Sequence, residues 1–521
     1  MRNGKLWRVS GLFLVLVAMF VGQPGVTQAQ ENTHQQAVLA IPRTSSLEVM
    51  ESSITITPEA GRLHQEVSTR STEAQAYYDQ GIAYLHSFVW VDAARSFHEA
   101  LRRDPELAMA HLGLSKAYVG ATAYAEAFFH LKKAAELAAK GNITPKEAKW
   151  IALGEQQMEA VYASEEERTS KHQEYKQAIE ALIALDPDDA HAWVMRGNAE
   201  ESRASGRGQG GRIGAIAYYD AALKRDPSHF AAHHYMVHAY EGLGHYDKAA
   251  EHGAQYAAAV PGVPHAQHMY AHVLPRLGRW EEALEQLGKA DRLHREYFSA
   301  GIDPVEEWHH GHNIHLMGAV HLRLGNEADA ERLFREAFHL EVRSLRDGRF
   351  TEPWLEYLLL RGRFEEALAA AREAEKRPLA LARLIGAARA AEALIALDRI
   401  EDAREAQQRA KVVFEEFRKV TDNIIFGRLA ARYDGRLLQA LEAQLALFGD
   451  NPEEGEEVLI RLADGFARSN SFDGWVTGLF RLEQLADVAR RAGREKLVEA
   501  LLERMNRIDP EFTSSVSAAV R

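Results

Sequence analysis

Residues 74–107 read AQAYYDQGIAYLHSFVWVDAARSFHEALRRDPEL. Small and large residues recur in this stretch at helical spacing: Gly81, Ala93 and Ala100 are small, whereas Tyr84 and Phe97 are large. Small residues let two helices approach closely, and large side chains fill the space between neighbouring helix pairs. Pro105 ends the second helix, because proline is not tolerated in a helix interior. The stretch therefore predicts a helix-turn-helix unit.

These positions resemble the glycine, aromatic, alanine, phenylalanine, alanine and proline positions of a tetratricopeptide repeat (TPR). The pattern recurs, and we predict units at 74–107, 108–141, 190–227, 230–263, 264–297, 311–344, 348–378, 384–417 and 479–512. The stretches 144–186 and 425–470 are helical by period but degenerate as repeats. The predicted fold is an all-α, right-handed superhelical solenoid. It comprises an N-terminal TPR array over residues 73–344 and degenerate TPR-like repeats over 345–521.

Composition excludes several classes of function. The chain of 521 residues has no cysteine, so disulfides, zinc–thiolate sites and cysteine nucleophiles are excluded. Its formal net charge is -13, and an acidic protein repels the phosphate backbone, so we expect no nucleic-acid partner. Any metal must therefore be held by histidine or carboxylate side chains.

The N-terminus has the pattern of a signal peptide over residues 1–29. Basic residues precede the apolar run 11–22, and the small residues Thr27 and Ala29 are spaced as a cleavage site requires. The apolar run is too short to span a bilayer, which needs about 20 residues, so we expect no stable membrane anchor. We predict an exported protein in the bacterial periplasm or outside the cell. Residues 30–72, rich in Thr, Ser and Gln, are predicted to be a flexible leader.

Histidines are concentrated in the middle of the chain: 16 of the 24 lie between His229 and His339. When the residues of each predicted unit are numbered from its start, several of these histidines occupy repeat positions 2, 5 and 9. These positions line the concave groove of a TPR array. The predicted groove residues are His234, His238, Glu241, His268, His272, His312 and His315. Residues three or four apart share one helix face, so neighbouring first helices would present these side chains to one stretch of groove. We interpret His233, His265, His309 and His310 as surface or structural residues.

Two kinds of chemistry suit this set. Neutral imidazole is a common ligand of zinc, copper, iron and nickel, and histidines four residues apart can present two nitrogens to one ion. His234, His238, His268, His272, His312 and His315 are the candidate metal ligands, and six ligands exceed one tetrahedral site unless two ions bind. Alternatively, the imidazoles bind an anionic ligand, transfer protons, or serve as plain polar contacts.

The segments HYMVHAYE (234–241), HAQHMYAHV (265–273) and HNIHL (312–316) also resemble a group of bacterial TPR proteins with successive HxxxH, HMxxH and HNxH motifs. The resemblance implies the fold and a shared histidine site on the six candidate ligands, and it implies no reaction. His86 matches more loosely, and Tyr270-Ala271 departs from the group's pattern.

Two hypotheses follow. In the first, an exported TPR solenoid binds a protein segment, a peptide or a small ligand in the histidine-lined groove. In the second, the protein is a metalloprotein, and an enzymatic role is not decided by the sequence. If ring nitrogens of three of the six histidines lie within about 4–5 Å of one another, the metalloprotein hypothesis is favoured, because metal–nitrogen bonds are short. Histidines pointing apart would favour the first hypothesis.

Overall fold

The computed structural model describes residues 45–162, 165–201, 211–341, 352–421, 425–467 and 475–509. Within these ranges the chain forms helices joined by short turns, and it contains no strand. The predicted signal peptide, residues 1–29, lies outside the described residues.

Twenty-three α-helices follow one another along the described chain. The first twelve are α1 Leu47–Met50, α2 Thr72–His86, α3 Trp90–Arg103, α4 Ala108–Gly120, α5 Tyr124–Ala139, α6 Pro145–Tyr162, α7 Glu165–Leu185, α8 Ala190–Glu201, α9 Arg212–Arg225, α10 Phe230–Leu243, α11 Tyr246–Ala259 and α12 Pro264–Val273. The remainder are α13 Trp280–Ser299, α14 Trp308–Arg323, α15 Glu327–His339, α16 Glu352–Leu360, α17 Phe364–Ala374, α18 Ala380–Ala396, α19 Ile400–Thr421, α20 Ile425–Ala446, α21 Pro452–Ala467, α22 Thr477–Arg491 and α23 Glu495–Ile508. Short 3-10 turns occupy Pro58–Ala60, Leu274–Leu277 and Pro304–Glu306.

Small residues set the spacing between the helices. The fully buried ring of Phe97 on α3 lies against Gly81 of its own hairpin and Gly113 of the next. A Cβ at Gly81 would come within 2.5 Å of that ring, and one at Gly113 within 2.4 Å. From α2 onward, consecutive helices pack as hairpins, and each hairpin packs on the next. The prediction of an all-α solenoid of TPR-type hairpins is confirmed.

In several hairpins a left-handed residue lies in the turn between the two helices. Glycine supplies it in five hairpins, at Gly244, Gly278, Gly325, Gly362 and Gly493, with φ between 67° and 79°. Three hairpins instead have a residue with a side chain at this position: Phe88 with φ 58°, and Thr122 and Asp398, each with φ 57°. A side chain with a Cβ is disfavoured in this conformation. The ring of Phe88 is therefore presented from a strained turn.

The array curls until its first hairpin contacts helices in the middle of the chain. The Tyr297 hydroxyl on α13 lies 3.0 Å from a carboxylate oxygen of Asp92 on α3. The Trp308 indole N–H donates to the carbonyl oxygen of Phe88 across 3.4 Å. Each hairpin adds a small rotation to the stack, and these rotations accumulate until distant hairpins meet.

The structure differs from the flexible leader predicted for residues 30–72. From residue 45 onward this segment packs across the array. The Ser46 amide donates to the Glu306 carboxylate across 2.7 Å, and the Gly262 amide donates to the carbonyl oxygen of Glu59 across 3.0 Å. Side chains of the repeats form hydrogen bonds with the backbone groups of this segment. The segment is therefore held against the array despite its polar composition. None of the helices within the described ranges combines the length and the apolar character that crossing a bilayer requires.

Candidate functional site

Six histidines of the middle hairpins form two groups of three. We call His234, His238 and His265 the first trio, and His268, His272 and His312 the second trio. Within each trio, one nitrogen from every ring lies within 4.8 Å of the others. The second trio consists entirely of predicted candidate ligands and meets the distance criterion given above for a metal site.

The first trio gathers three Nε2 atoms. The His234 Nε2 lies 3.2 Å from the His238 Nε2 and 3.1 Å from the His265 Nε2. The Nδ1–H of His234 donates to the carbonyl oxygen of His86 across 2.6 Å. A neutral imidazole carries only one N–H, so the His234 Nε2 presents a lone pair to the other two rings. Four ligands arranged tetrahedrally about zinc would lie about 3.3 Å apart, since zinc–nitrogen bonds are about 2.0–2.1 Å long.

Hydrogen bonds orient two rings of the second trio in the same way. The His272 Nδ1–H donates to the Glu241 carboxylate across 2.7 Å, and the His268 Nδ1–H donates to the Asn313 side-chain oxygen across 3.1 Å. The Asn313 amide nitrogen donates in turn to the carbonyl oxygen of Leu287, which fixes the orientation of the amide. Both rings therefore present Nε2 lone pairs, which is the usual arrangement behind a metal-binding histidine.

The two trios repeat one design. In each, two histidines four residues apart come from the first helix of one hairpin, at repeat positions 5 and 9, and the third comes from position 2 of the next hairpin. Helix α10 supplies His234 and His238, and α12 supplies His265. Likewise α12 supplies His268 and His272, and α14 supplies His312. Adjacent helices pack about 8–10 Å apart, so long imidazole side chains can meet between them.

His265 was missed from the candidate ligands predicted from the sequence, and of the two interpretations given to it, surface residue or structural residue, the first is wrong. It is 3% exposed and belongs to the first trio. The signal was present, because it occupies repeat position 2, as His312 does. His309 and His310 are also buried rather than at the surface, whereas His233 is half-buried. Predicted ligand His315 lies outside both trios, its ring centroid 6.3 Å from that of His312.

Most of the side chains that the sequence predicted to line the concave groove are buried. His234 is 0% exposed, and His268 and His272 are each 1% exposed. The turn of the first hairpin covers the first trio: the ring centroid of Phe88 lies 4.7 Å from that of His234 and 5.4 Å from that of His265. The cause is the curl of the array, which a single repeat does not reveal.

Burial keeps the first trio uncharged. Loss of hydration lowers the pKa of His234 to about 3. The same cause, followed by repulsion from neighbouring imidazoles, places the pKa values of His238 and His265 well below their ordinary value. The rings are therefore neutral at physiological pH, the form that binds a metal ion.

Comparisons with known proteins give the following likenesses. No family model matches the sequence, and no curated protein matches it. A tetratricopeptide repeat protein from Parabacteroides merdae aligns at 15% identity with a TM-score of 0.35, covering 56% of this chain and 98% of that one. Yeast Tom70 aligns at 13% identity with a TM-score of 0.38, covering 86% of this chain and 93% of that one. MamA from Desulfovibrio magneticus aligns at 17% identity with a TM-score of 0.29, covering 37% of this chain and 93% of that one. These values are too low to support a conclusion about function, and the fold rests on the helix packing described above.

Proposed function

We propose that this TPR-type solenoid is a metal-binding protein that holds two transition-metal ions, one at each histidine trio. One observation carries the proposal: the His234 Nε2 lies 3.2 Å from the His238 Nε2 and 3.1 Å from the His265 Nε2. The N–H proton of His234 is on the other nitrogen, Nδ1, and is donated to the carbonyl oxygen of His86. On the N-terminal pattern, we further propose that it acts in the periplasm or outside the cell.

Simple packing explains these contacts less well than metal binding does. A buried polar atom is normally hydrogen-bonded, because leaving it without a partner costs about 1–3 kcal/mol. The single lone pair of the His234 Nε2 faces two other ring nitrogens and can accept only one good hydrogen bond. An ion between the three rings would use all three lone pairs at once. Zinc, copper, iron and nickel all accept imidazole ligands.

Metal stoichiometry of protein purified without a tag tests the proposal. After dialysis against one equivalent each of Zn²⁺ and copper per trio, elemental analysis should find two ions per chain. The double variant H234A/H238A should lose one ion, and H268A/H272A should lose the other, because each removes two of three ligands. Helical content measured by circular dichroism should remain nearly intact.

The matched control is H321A/H339A, two histidines of the same region that lie outside both trios and are half-buried and exposed, respectively. It should retain two ions. Metal content that is zero in the wild-type chain, or that is equal in all three variants, would overturn the proposal.

A second candidate function, the binding of a protein segment or peptide by the repeats, is favoured by the path of residues 45–72. Apart from α1 and the 3-10 turn Pro58–Ala60, this segment crosses the array without regular secondary structure. Its backbone forms hydrogen bonds with the repeats; the Thr57 amide, for example, donates to the Gln80 side chain across 2.7 Å. Gly61 fits closely at φ 88°, where a Cβ would come within 2.3 Å of Val260. A surface that holds a segment of its own chain in this way has the chemistry to hold a similar segment of a partner.

Displacement of the chain's own segment tests this second candidate. The substitution Gly61→Val should dislodge the segment, because valine disfavours positive φ and would overlap Val260. A labelled peptide with the sequence of residues 45–69 should then bind the variant and not the wild-type chain. Failure to bind either protein would contradict the candidate.

A further inference from the structure

We infer that this protein also binds a small tetrahedral oxyanion, such as phosphate, between His86, Lys116, Trp150 and His191. We call these four residues the donor cluster. Each comes from the first helix of one of four consecutive hairpins: α2, α4, α6 and α8, in that order. None of them belongs to a histidine trio, so the inference goes beyond the proposed metal binding and does not depend on it.

The side chains of the donor cluster lie close together. The ring centroid of His191 is 4.7 Å from that of His86 and 5.1 Å from that of Trp150. The Lys116 ammonium nitrogen is 5.6 Å from the centroid of the Trp150 ring. Burial, followed by repulsion from neighbouring imidazoles and from Lys116, lowers the pKa of both His86 and His191. Residues from four hairpins therefore face one small region.

Lys116 has no counter-charge among the described residues. Loss of hydration lowers its pKa to about 8, and no carboxylate in the described ranges forms an ion pair with it. The group is still mostly cationic at neutral pH. A lysine charge removed from water is costly unless an anion lies beside it. A bound oxyanion would supply that anion.

Two buried polar atoms of the donor cluster have no hydrogen-bond partner in the described part of the chain: the Nε2 of His86 and the indole nitrogen of Trp150. These residues are 4% and 2% exposed, respectively. The Tyr235 hydroxyl can donate to the Nδ1 of His86 across 3.0 Å, which leaves the ring proton on Nε2. An indole nitrogen only donates. Both atoms are therefore buried donors, and buried donors are normally paired with an acceptor.

A tetrahedral oxyanion has acceptors for all of these groups. It offers four oxygens, which matches donors that approach from four hairpins, whereas a carboxylate offers two. Lys116 and His191 are partly exposed, so an ion can reach the cluster from solvent. A metal ion fits this cluster less well than it fits the trios, because the Lys116 cation would repel it.

Two acidic groups face His229, whose ring borders the cluster. Burial lowers the pKa of His229, whereas Asp226 and Asp189 raise it. Neither carboxylate contributes to the pKa of Lys116. Asp189 also pairs with Lys146 at 2.8 Å, which offsets its charge. The positive charge of Lys116 is therefore not cancelled at the cluster.

Calorimetric titration of the metal-free chain with inorganic phosphate tests the inference. One phosphate should bind per chain. Lys116→Met and His191→Leu should each weaken phosphate binding about 10–100-fold, because each removes a donor to an anion. The matched control is Lys248→Met. This exposed lysine also lies over an aromatic ring, 5.3 Å from the centroid of Tyr240, and its loss should leave phosphate binding unchanged.

Urea denaturation separates phosphate binding from a structural role of Lys116. Without phosphate, K116M should resist urea better than the wild-type chain, because the substitution removes an unpaired charge. Phosphate should stabilise the wild-type chain and not K116M. The H191L variant should likewise gain less stability from phosphate than the wild type, and it keeps the comparison valid if K116M does not fold.

Other anions test the shape of the ligand. Sulfate should compete with phosphate, whereas acetate should not. Methyl phosphate that binds as tightly as phosphate indicates the phosphate group of a larger molecule, and weaker binding indicates the free ion. No phosphate binding by the wild-type chain, equal binding by K116M, or acetate that competes as well as sulfate would overturn the inference. Because the chain is free of metal in this experiment, such a result leaves the proposed metal binding intact.

Discussion

At the scale of single residues, the spacing of the helices depends on glycines that have no room for a methyl group. A Cβ at Gly81 would come within 2.5 Å of the fully buried Phe97 ring, so we predict that Gly81→Ala destabilises the protein by about 1–3 kcal/mol. The matched control is Gly465→Ala on the exposed face of α21, where a Cβ meets nothing within 4 Å. This change should stabilise the protein by about 0.5–1 kcal/mol through helix propensity. Urea denaturation measures both, and equal effects would contradict the packing explanation.

The sequence predicted the site histidines whose positions in the repeat were assigned to the groove. His268 and His272 lie four residues apart on one helix, and His312 follows at position 2 of the next unit, so local periodicity identified all three. His265 was missed although the same numbering identifies it, because it lies at position 2 of its unit, as His312 does. Glu241 was identified by its position, but its bond to His272 crosses from α10 to α12 and appears only in the structure.

At the scale of elements, buried charge joins three helices of the C-terminal part. Arg389 on α18 is 1% exposed and contacts Glu352 and Glu356 on α16 at 2.6 Å, and it also pairs with Glu392 on its own helix. Arg481 on α22 contacts the same carboxylates. The sequence predicted only generic repeats here, because these partners lie far apart in the chain and no short motif relates them.

This cluster gives an element-scale prediction. Arg389→Ala should destabilise the protein by about 3–5 kcal/mol, because the substitution leaves buried carboxylates without their main counter-charge. Arg399→Ala is the control: this arginine is 43% exposed and pairs with Asp402 at the surface, so the change should stay within about 0.5 kcal/mol. Thermal denaturation compares the two variants. Similar losses of stability would mean that burial does not decide the effect.

At the scale of the whole molecule, closure of the array decides what the histidine region can do. The sequence predicted hairpins and their order correctly, because each depends on contacts within about forty residues. It did not predict the contact between Asp92 and Tyr297. This contact depends on small rotations between neighbouring repeats, which accumulate over several hairpins. His234, His268 and His272 are therefore buried at this point of the array and are held away from water.

This burial makes the stability of the metal-free protein depend on pH. Among the described residues, burial lowers the pKa of fifteen histidines, whereas it raises the pKa of six carboxyl groups. Below pH 6.5 an unfolded histidine binds a proton that a buried, neutral one does not, so the unfolded state gains protons and stability falls with falling pH. For His234, with a folded pKa of about 3, the loss between pH 7.5 and 5.5 is about 1.3 kcal/mol. The raised carboxyl pKa values act in the opposite direction, but the histidines outnumber them.

We therefore predict a lower urea midpoint at pH 5.5 than at pH 7.5 in the presence of a chelator. His294→Gln, which removes one fully buried imidazole, should reduce the pH dependence by the contribution of about one proton. A midpoint that is unchanged or higher at pH 5.5 would mean that these histidines are already protonated in the folded chain, a state that could not bind a metal ion.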